Sequence, residues 1–110
     1  MDISTEQIDS TTVVRMSGNL DTNTSAPAHA KLDSLIEDGN THLLVNLRQV
    51  GFVSSAGLRI LLATAKRLNG TDGSLKISNL NETVNEVFEI SGFNSILNVF
   101  STEEDALKDG

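Results

Sequence analysis

Cysteine, tryptophan and tyrosine are absent from this 110-residue chain, and proline occurs once, at Pro27. Without cysteine there is neither a disulfide framework nor a thiolate site. Without tryptophan and tyrosine an aromatic platform for stacking bases is not expected. Basic residues are scarce, 8 against 15 acidic, so the net charge is −7. Such a surface repels nucleic acid and anionic lipid, and direct nucleic-acid binding is not expected. Long apolar runs are missing too: the longest, Ile60 to Ala63, has four residues. That is far short of a membrane span, so no membrane insertion is expected. The N-terminal residues show no basic region followed by an apolar segment, which predicts no signal peptide and a cytoplasmic protein. The chain is the length of one domain and can bury a modest core unaided.

What is present is a regular alternation of strand and helix signals. A weak first strand is flanked by Ile3 and Ile8, with Gln7 to Ser10 available for a turn, and a second runs from Thr12 to Ser17. Gly18-Asn19 ends it in turn chemistry. Thr24 or Ser25 caps a first helix with Pro27 in its first turn, and Ala28, Leu32, Leu35 and Ile36 recur on one side. Gly39 is placed to end that helix in a left-handed conformation. His42 to Leu47 reads as a strand buried on both faces. A second helix over Ser55 to Leu68 follows, then a strand over Leu75 to Ser78. A third helix is capped by Asn81 and stopped at Ser91-Gly92, with Val84, Val87 and Phe88 inward. A last strand over Ile96 to Phe100 precedes a short helix, for which Ser101 and Glu104 form a capping box. The order β-β-α-β-α-β-α-β-α predicts an α/β fold, a mixed, mostly parallel sheet packed against about four α-helices.

The most informative stretch is Phe52-Val53-Ser54-Ser55-Ala56-Gly57-Leu58, where a buried strand hands over to a helix. The first N–H groups of a helix lack partners, and its dipole favours negative charge there. A hydroxyl at that point either caps the helix or carries a phosphate. Asp21 and Thr22 in the earlier turn, with Asn79 and Asn81, add polar groups at the carboxyl ends of strands, where open α/β sheets gather ligands. Taken singly, each has an ordinary structural reading: caps for Ser54 and Ser55, a turn residue for Asp21, a solvated helix face for Arg59, Lys66 and Arg67.

Enzymatic readings find little support. A serine nucleophile needs a base beside it, yet His29 falls on the first helix and His42 opens a strand at the end opposite Ser54 and Ser55. Gly57 is preceded by Ala56, so there is no nucleophile elbow, and no glycine-rich phosphate loop is present. A nucleotide-binding reading has only the polar groups at the strand ends in its favour.

Taken together, the motifs resemble the STAS domain family, most closely the small bacterial anti-sigma factor antagonists, over nearly the whole chain as a single domain of residues 1–110. Gly18-Asn19-Leu20-Asp21 is similar to that family's turn after the second strand, and Ser54-Ser55-Ala56-Gly57 occupies its Asp-Ser-Ser-Gly motif. Val87 to Phe93, Ile96 to Phe100 and Glu103 to Leu107 resemble its C-terminal third. The resemblance implies a binding protein, not an enzyme, that needs no cofactor and no metal. Its partners would be an anti-sigma factor serine/threonine kinase and a resetting serine phosphatase. The unphosphorylated form would bind the kinase and free a sigma factor until Ser55 is phosphorylated. Asp21, Ser54, Ser55, Ala56, Gly57 and Arg59 would then form the partner-binding surface. The sequence departs from the pattern twice: Ser54 stands where the family has aspartate, and Ala56 where it has a second serine. Ser54 is therefore a second candidate for modification. The lost aspartate also supports an alternative, a non-switching STAS subunit serving as scaffold in a signalling or transport assembly. Pairing with a second copy as a homodimer is left open.

Overall fold

Two hydrogen-bonded strands open the chain, β1 (Asp2–Ile8) and β2 (Thr11–Ser17), joined by a turn in which Asp9 takes a φ of 53°. In the computed structural model, which describes residues 1–109, β1 is a full seven-residue strand antiparallel to β2. It therefore extends through Gln7, where the sequence suggested a turn. The mostly polar β1 is exposed along most of its length, and pairing with Val13, Val14 and Met16 of β2 holds it in place.

The chain continues through α1 (Ser25–Glu37), β3 (His42–Gln49), α2 (Ser55–Asn69), β4 (Ser74–Ser78), α3 (Glu82–Ile90), a 3-10 turn (Phe93–Ser95), β5 (Asn98–Phe100) and α4 (Glu103–Lys108). The five strands lie in the order β1-β2-β3-β4-β5, and all pairs beyond the first are parallel. This is the expected mixed, mostly parallel sheet with four α-helices. Because β2 to β5 are laid down in sequence, right-handed crossovers put α1, α2 and α3 on the same face. Ala28, Leu32 and Ile36 of α1, Leu58, Leu61 and Leu68 of α2, and Val84 and Phe88 of α3 accordingly share one core with Val14, Met16, Leu43, Val45, Leu47, Leu75 and Ile77. Gly39 does end α1 with a positive φ, 98°. The Asn40 N–H bonds the Leu35 carbonyl, closing the end of the helix.

Among the described residues, the opposite face carries α4 alone. Val13, Leu44 and Ala106 form a small second cluster there, flanked by Ile8, Phe100 and Leu107. Two local expectations are corrected at this end. The last strand starts at Asn98, not Ile96, because the 3-10 turn consumes Phe93–Ser95 and leaves Ile96 60 % exposed. The cap of α4 is Thr102, not Ser101: its hydroxyl accepts from the Asp105 N–H at 3.1 Å.

Glu103, in the acidic first turn of α4, does more than complement the helix dipole. Its carboxylate receives Arg15 Nε at 3.0 Å, Arg15 Nη2 at 2.9 Å and Asn46 Nδ2 at 2.9 Å, which clamps α4 to β2 and β3. The Arg15 hydrogen bond, opposed by burial and aided by Asn46, holds the Glu103 carboxyl below its ordinary range. A carboxyl with a depressed folded-state pKa adds stability at pH above its unfolded value, and that stability is lost as pH falls through the folded one. Since Arg15 is more than a third exposed, the contribution is about 1 kcal/mol or less. Denaturant midpoints measured from pH 7 down to pH 2 should therefore fall less steeply below about pH 4 in Glu103→Gln than in the wild type. Parallel curves would remove Glu103 from the acid response.

Candidate functional site

Three loops meet at the carboxyl ends of the central strands. The chain leaves β3 through Val50, Gly51 and Phe52, and Val53 forms an isolated parallel bridge with Leu20 from the loop after β2. Leu20 donates its N–H to the Phe52 carbonyl at 2.9 Å, and Ser54 donates to the Leu20 carbonyl at 2.9 Å. Both Leu20 and Val53 are fully buried, so this two-bond ladder is shielded from water. The third loop arrives with Asn81, whose Nδ2 donates to the Val50 carbonyl at 3.1 Å and lies 3.3 Å from that of Gly51. Its Oδ1 accepts from the Val84 N–H at 2.7 Å and caps α3, as its place in the sequence predicts.

The two serines differ in what their hydroxyls do. Ser54 is the N-cap of α2, with extended backbone (φ −85°, ψ 175°), and its Oγ accepts from the Gly57 N–H at 3.3 Å. The Ser54 carbonyl accepts the first helical bond, from Leu58 at 2.9 Å. Capping of this kind stabilises a helix by about 1 kcal/mol. Ser55 is the first helical residue, is exposed, and its hydroxyl has no partner among the described residues.

Around them, Ala56 is half-buried and Arg59 is exposed. Gly57 is buried. A Cβ added there would lie 2.7 Å from the Leu20 carbonyl oxygen and 2.9 Å from the Leu20 and Val53 side chains. Glycine is what lets α2 start this close to the Leu20 loop. Asp21 is half-buried and organises the start of α1: its Oδ1 accepts from the N–H groups of Asn23 at 2.9 Å and Thr24 at 3.2 Å. Thr24 holds the N-cap position but makes no side-chain cap; its hydroxyl instead accepts from the Asp21 N–H at 2.9 Å. The carboxylate thus stands in for the hydroxyl cap that the sequence suggested.

Asn79 is not part of this group. It ends β4 with a φ of 62° and lines a cleft of about 500 Å³ with Arg15, Asn46, Arg48 and Glu103 beneath α4. Neither histidine approaches Ser55 as a base would: His29 lies 3.6 Å from Asp33 on α1, and His42 shares a hydrogen bond with Ser74 at the far end of β3. Phe52 opens the stretch that the sequence marks as most informative but is not among the partner-binding residues the resemblance implies; it is 44 % exposed, two residues before Ser54. The signal is its place in the chain, an apolar residue directly before the strand-to-helix junction at Ser54 and Ser55.

The arrangement is an exposed hydroxyl, without a partner among the described residues, at a helix start, with the exposed Phe52 three residues before it and the exposed Arg59 four residues after it. Comparison with known proteins sets it in context. The STAS domain pattern matches residues 2–106. BtrV of Bordetella bronchiseptica, provisionally designated an anti-sigma factor antagonist, is 33 % identical over 106 residues, covering 96 % of this chain and 91 % of that one. The crystal structure of an anti-sigma factor antagonist from Mycobacterium paratuberculosis superposes with a TM-score of 0.91 at 25 % identity, over 98 % of this chain and 92 % of that one. The anti-sigma factor antagonist SpoIIAA in its unphosphorylated form gives a TM-score of 0.82 at 27 % identity, over 98 % and 95 %. The phosphorylated form of that Bacillus protein gives 0.74 at 26 %, over 98 % of each chain.

Proposed function

Since the chain belongs to the STAS domain family, we propose that it is an anti-sigma factor antagonist, working by exchange of partners and switched at Ser55. The observation that carries this reading is the division of labour between the serines: Ser54 spends its hydroxyl on the cap, and Ser55 presents its own to solvent. The same division answers the sequence departure, because Ser54 supplies the cap where the family's aspartate stands. The relatives add support, since all three are designated antagonists and SpoIIAA exists in phosphorylated and unphosphorylated forms.

In this reading the unphosphorylated protein binds an anti-sigma factor that is itself a serine kinase, and a sigma factor is released. Phosphoryl transfer then ends the complex. The Ser55 oxygen bonds to the γ-phosphorus of ATP, and the bond from that phosphorus to the β–γ bridging oxygen breaks. ADP leaves, and the hydroxyl proton passes to a base on the kinase. A phosphatase returns Ser55 to its hydroxyl by hydrolysis. The antagonist is substrate and ligand and catalyses none of these steps; the cycle is cytoplasmic, where sigma factors act.

Intact-mass measurement after incubation with ATP and candidate anti-sigma kinases, with fragmentation to map the site, tests the reading. One phosphate is expected on wild type and on Ser54→Ala, and none on Ser55→Ala. Phosphate mapped to Ser54 would move the switch by one residue. No phosphate from a kinase that nonetheless binds would make the protein a constitutive binding module.

A further inference from the structure

Resting on Ser55 as the modified residue, we propose that Arg59 is the internal clamp of the Ser55 phosphate. Ser55 opens α2, and Arg59 lies four residues further on, about one turn along the same helix face. Residues so spaced have Cβ atoms about 5–6 Å apart. Helical side chains lean towards the N-terminus, so the Arg59 guanidinium leans towards Ser55. The acid-before-base order is also the more favourable one for a pair at this spacing. A guanidinium matches two phosphate oxygens at once.

Arg59 has nothing else to do. It is exposed and makes no hydrogen bond or ion pair among the described residues. Arg15 is held by Glu103 and Glu6, and Arg67 by Asp33. Lys66 and Arg67 sit eleven and twelve residues beyond Ser55 on α2, about 16 Å or more along the axis, beyond a Debye length at physiological salt. Arg48 lines the cleft under α4. The charges carried by the two neighbouring loops are acidic. Asp21 follows Leu20, whose carbonyl accepts from Ser54, and Glu82 follows Asn81, which donates to the Val50 carbonyl. Among the described residues of α2, a dianion at Ser55 therefore has one cation within about a helical turn.

Phosphorylation consequently changes the surface twice. It adds negative charge at Ser55, and it withdraws the Arg59 guanidinium, which the bare protein offers to a carboxylate on the partner. The phosphate's own titration reports the clamp. Phosphoserine would be installed at position 55 during synthesis, so that no kinase is needed, and its second pKa followed by phosphorus NMR in wild type, Arg59→Gln and Arg59→Lys. The midpoint is expected to lie roughly 0.15–0.4 unit lower in wild type than in Arg59→Gln, with Arg59→Lys between. The gap should close near 1 M salt. Equal midpoints in wild type and Arg59→Gln at low salt would overturn the clamp. A wrong assignment of Ser55 would show separately, as missing phosphate in the kinase experiment, and would leave this titration unchanged.

Discussion

Ser55→Asp is expected to weaken the complex with the anti-sigma partner by about 10- to 100-fold, and phosphate at the same position by ~100-fold or more. Ser55→Ala should bind nearly as the wild type does. The hydroxyl sits on the exposed start of α2 between Phe52 and Arg59, so a docked partner covers it and must desolvate whatever it carries. A hydroxyl makes little demand. A carboxylate loses water on docking, and a phosphate, at −1.5 to −2 charges, loses more. Both add to a chain already at −7. Neither distorts the fold, because the helix start tolerates an anion. Titration calorimetry of each variant against the partner, at low and high salt, decides the matter. Equal affinities for Ser55→Asp and Ser55→Ala would place Ser55 outside the interface.

The second large effect concerns Gly57, which the sequence places in the binding motif and the structure places beneath it. Gly57→Ala forces a methyl group against the Leu20 carbonyl and the Leu20 and Val53 side chains. Overpacking of this kind costs about 1–3 kcal/mol, or roughly 5–15 °C in Tm for a domain of this size. The strain falls on the bridge that joins the β2 and β3 loops, so partner affinity should drop as well, without any change of charge. Gly70→Ala is the matched control. Gly70 ends α2 with a φ of −73°, and an added Cβ there meets nothing closer than 3.5 Å. Thermal unfolding of the two variants should separate them clearly. A Gly57→Ala protein as stable as Gly70→Ala would mean that the Leu20 loop gives way at little cost.

These two residues show where sequence reasoning reached and where it stopped. The Ser-Ser pair at a strand-to-helix junction is a local pattern, so the N-terminus of α2 was legible from caps and periodicity alone. Asn81 at the start of α3 was legible for the same reason, and so was Gly39 at the end of α1. Which serine caps was not legible, because either hydroxyl fits a cap and one residue of phase decides. The same ambiguity of one residue separates Ser101 from Thr102 at α4. Short elements with little burial, such as the segment from Ile96 to Phe100, carry too few periodic positions to place their ends.

The sequence by itself determined the order of strands and helices, the parallel crossovers, the inward stripe of each long helix and the location of the motif at a helix start. Each of these depends on neighbours within a few positions, where hydrophobic period and turn chemistry act. Tertiary structure decided what depends on residues distant in the chain. The Leu20–Val53 bridge buries Gly57 and fixes Ser54 as the cap; Asn81 ties the third loop to the one after β3; Glu103 reaches back to Arg15 across 88 residues. Such contacts follow from how the sheet brings strand ends together, and local spacing along the chain does not encode them. Ser55 and Arg59 stay exposed and without a partner among the described residues, the hydroxyl because the preceding Ser54 already makes the cap.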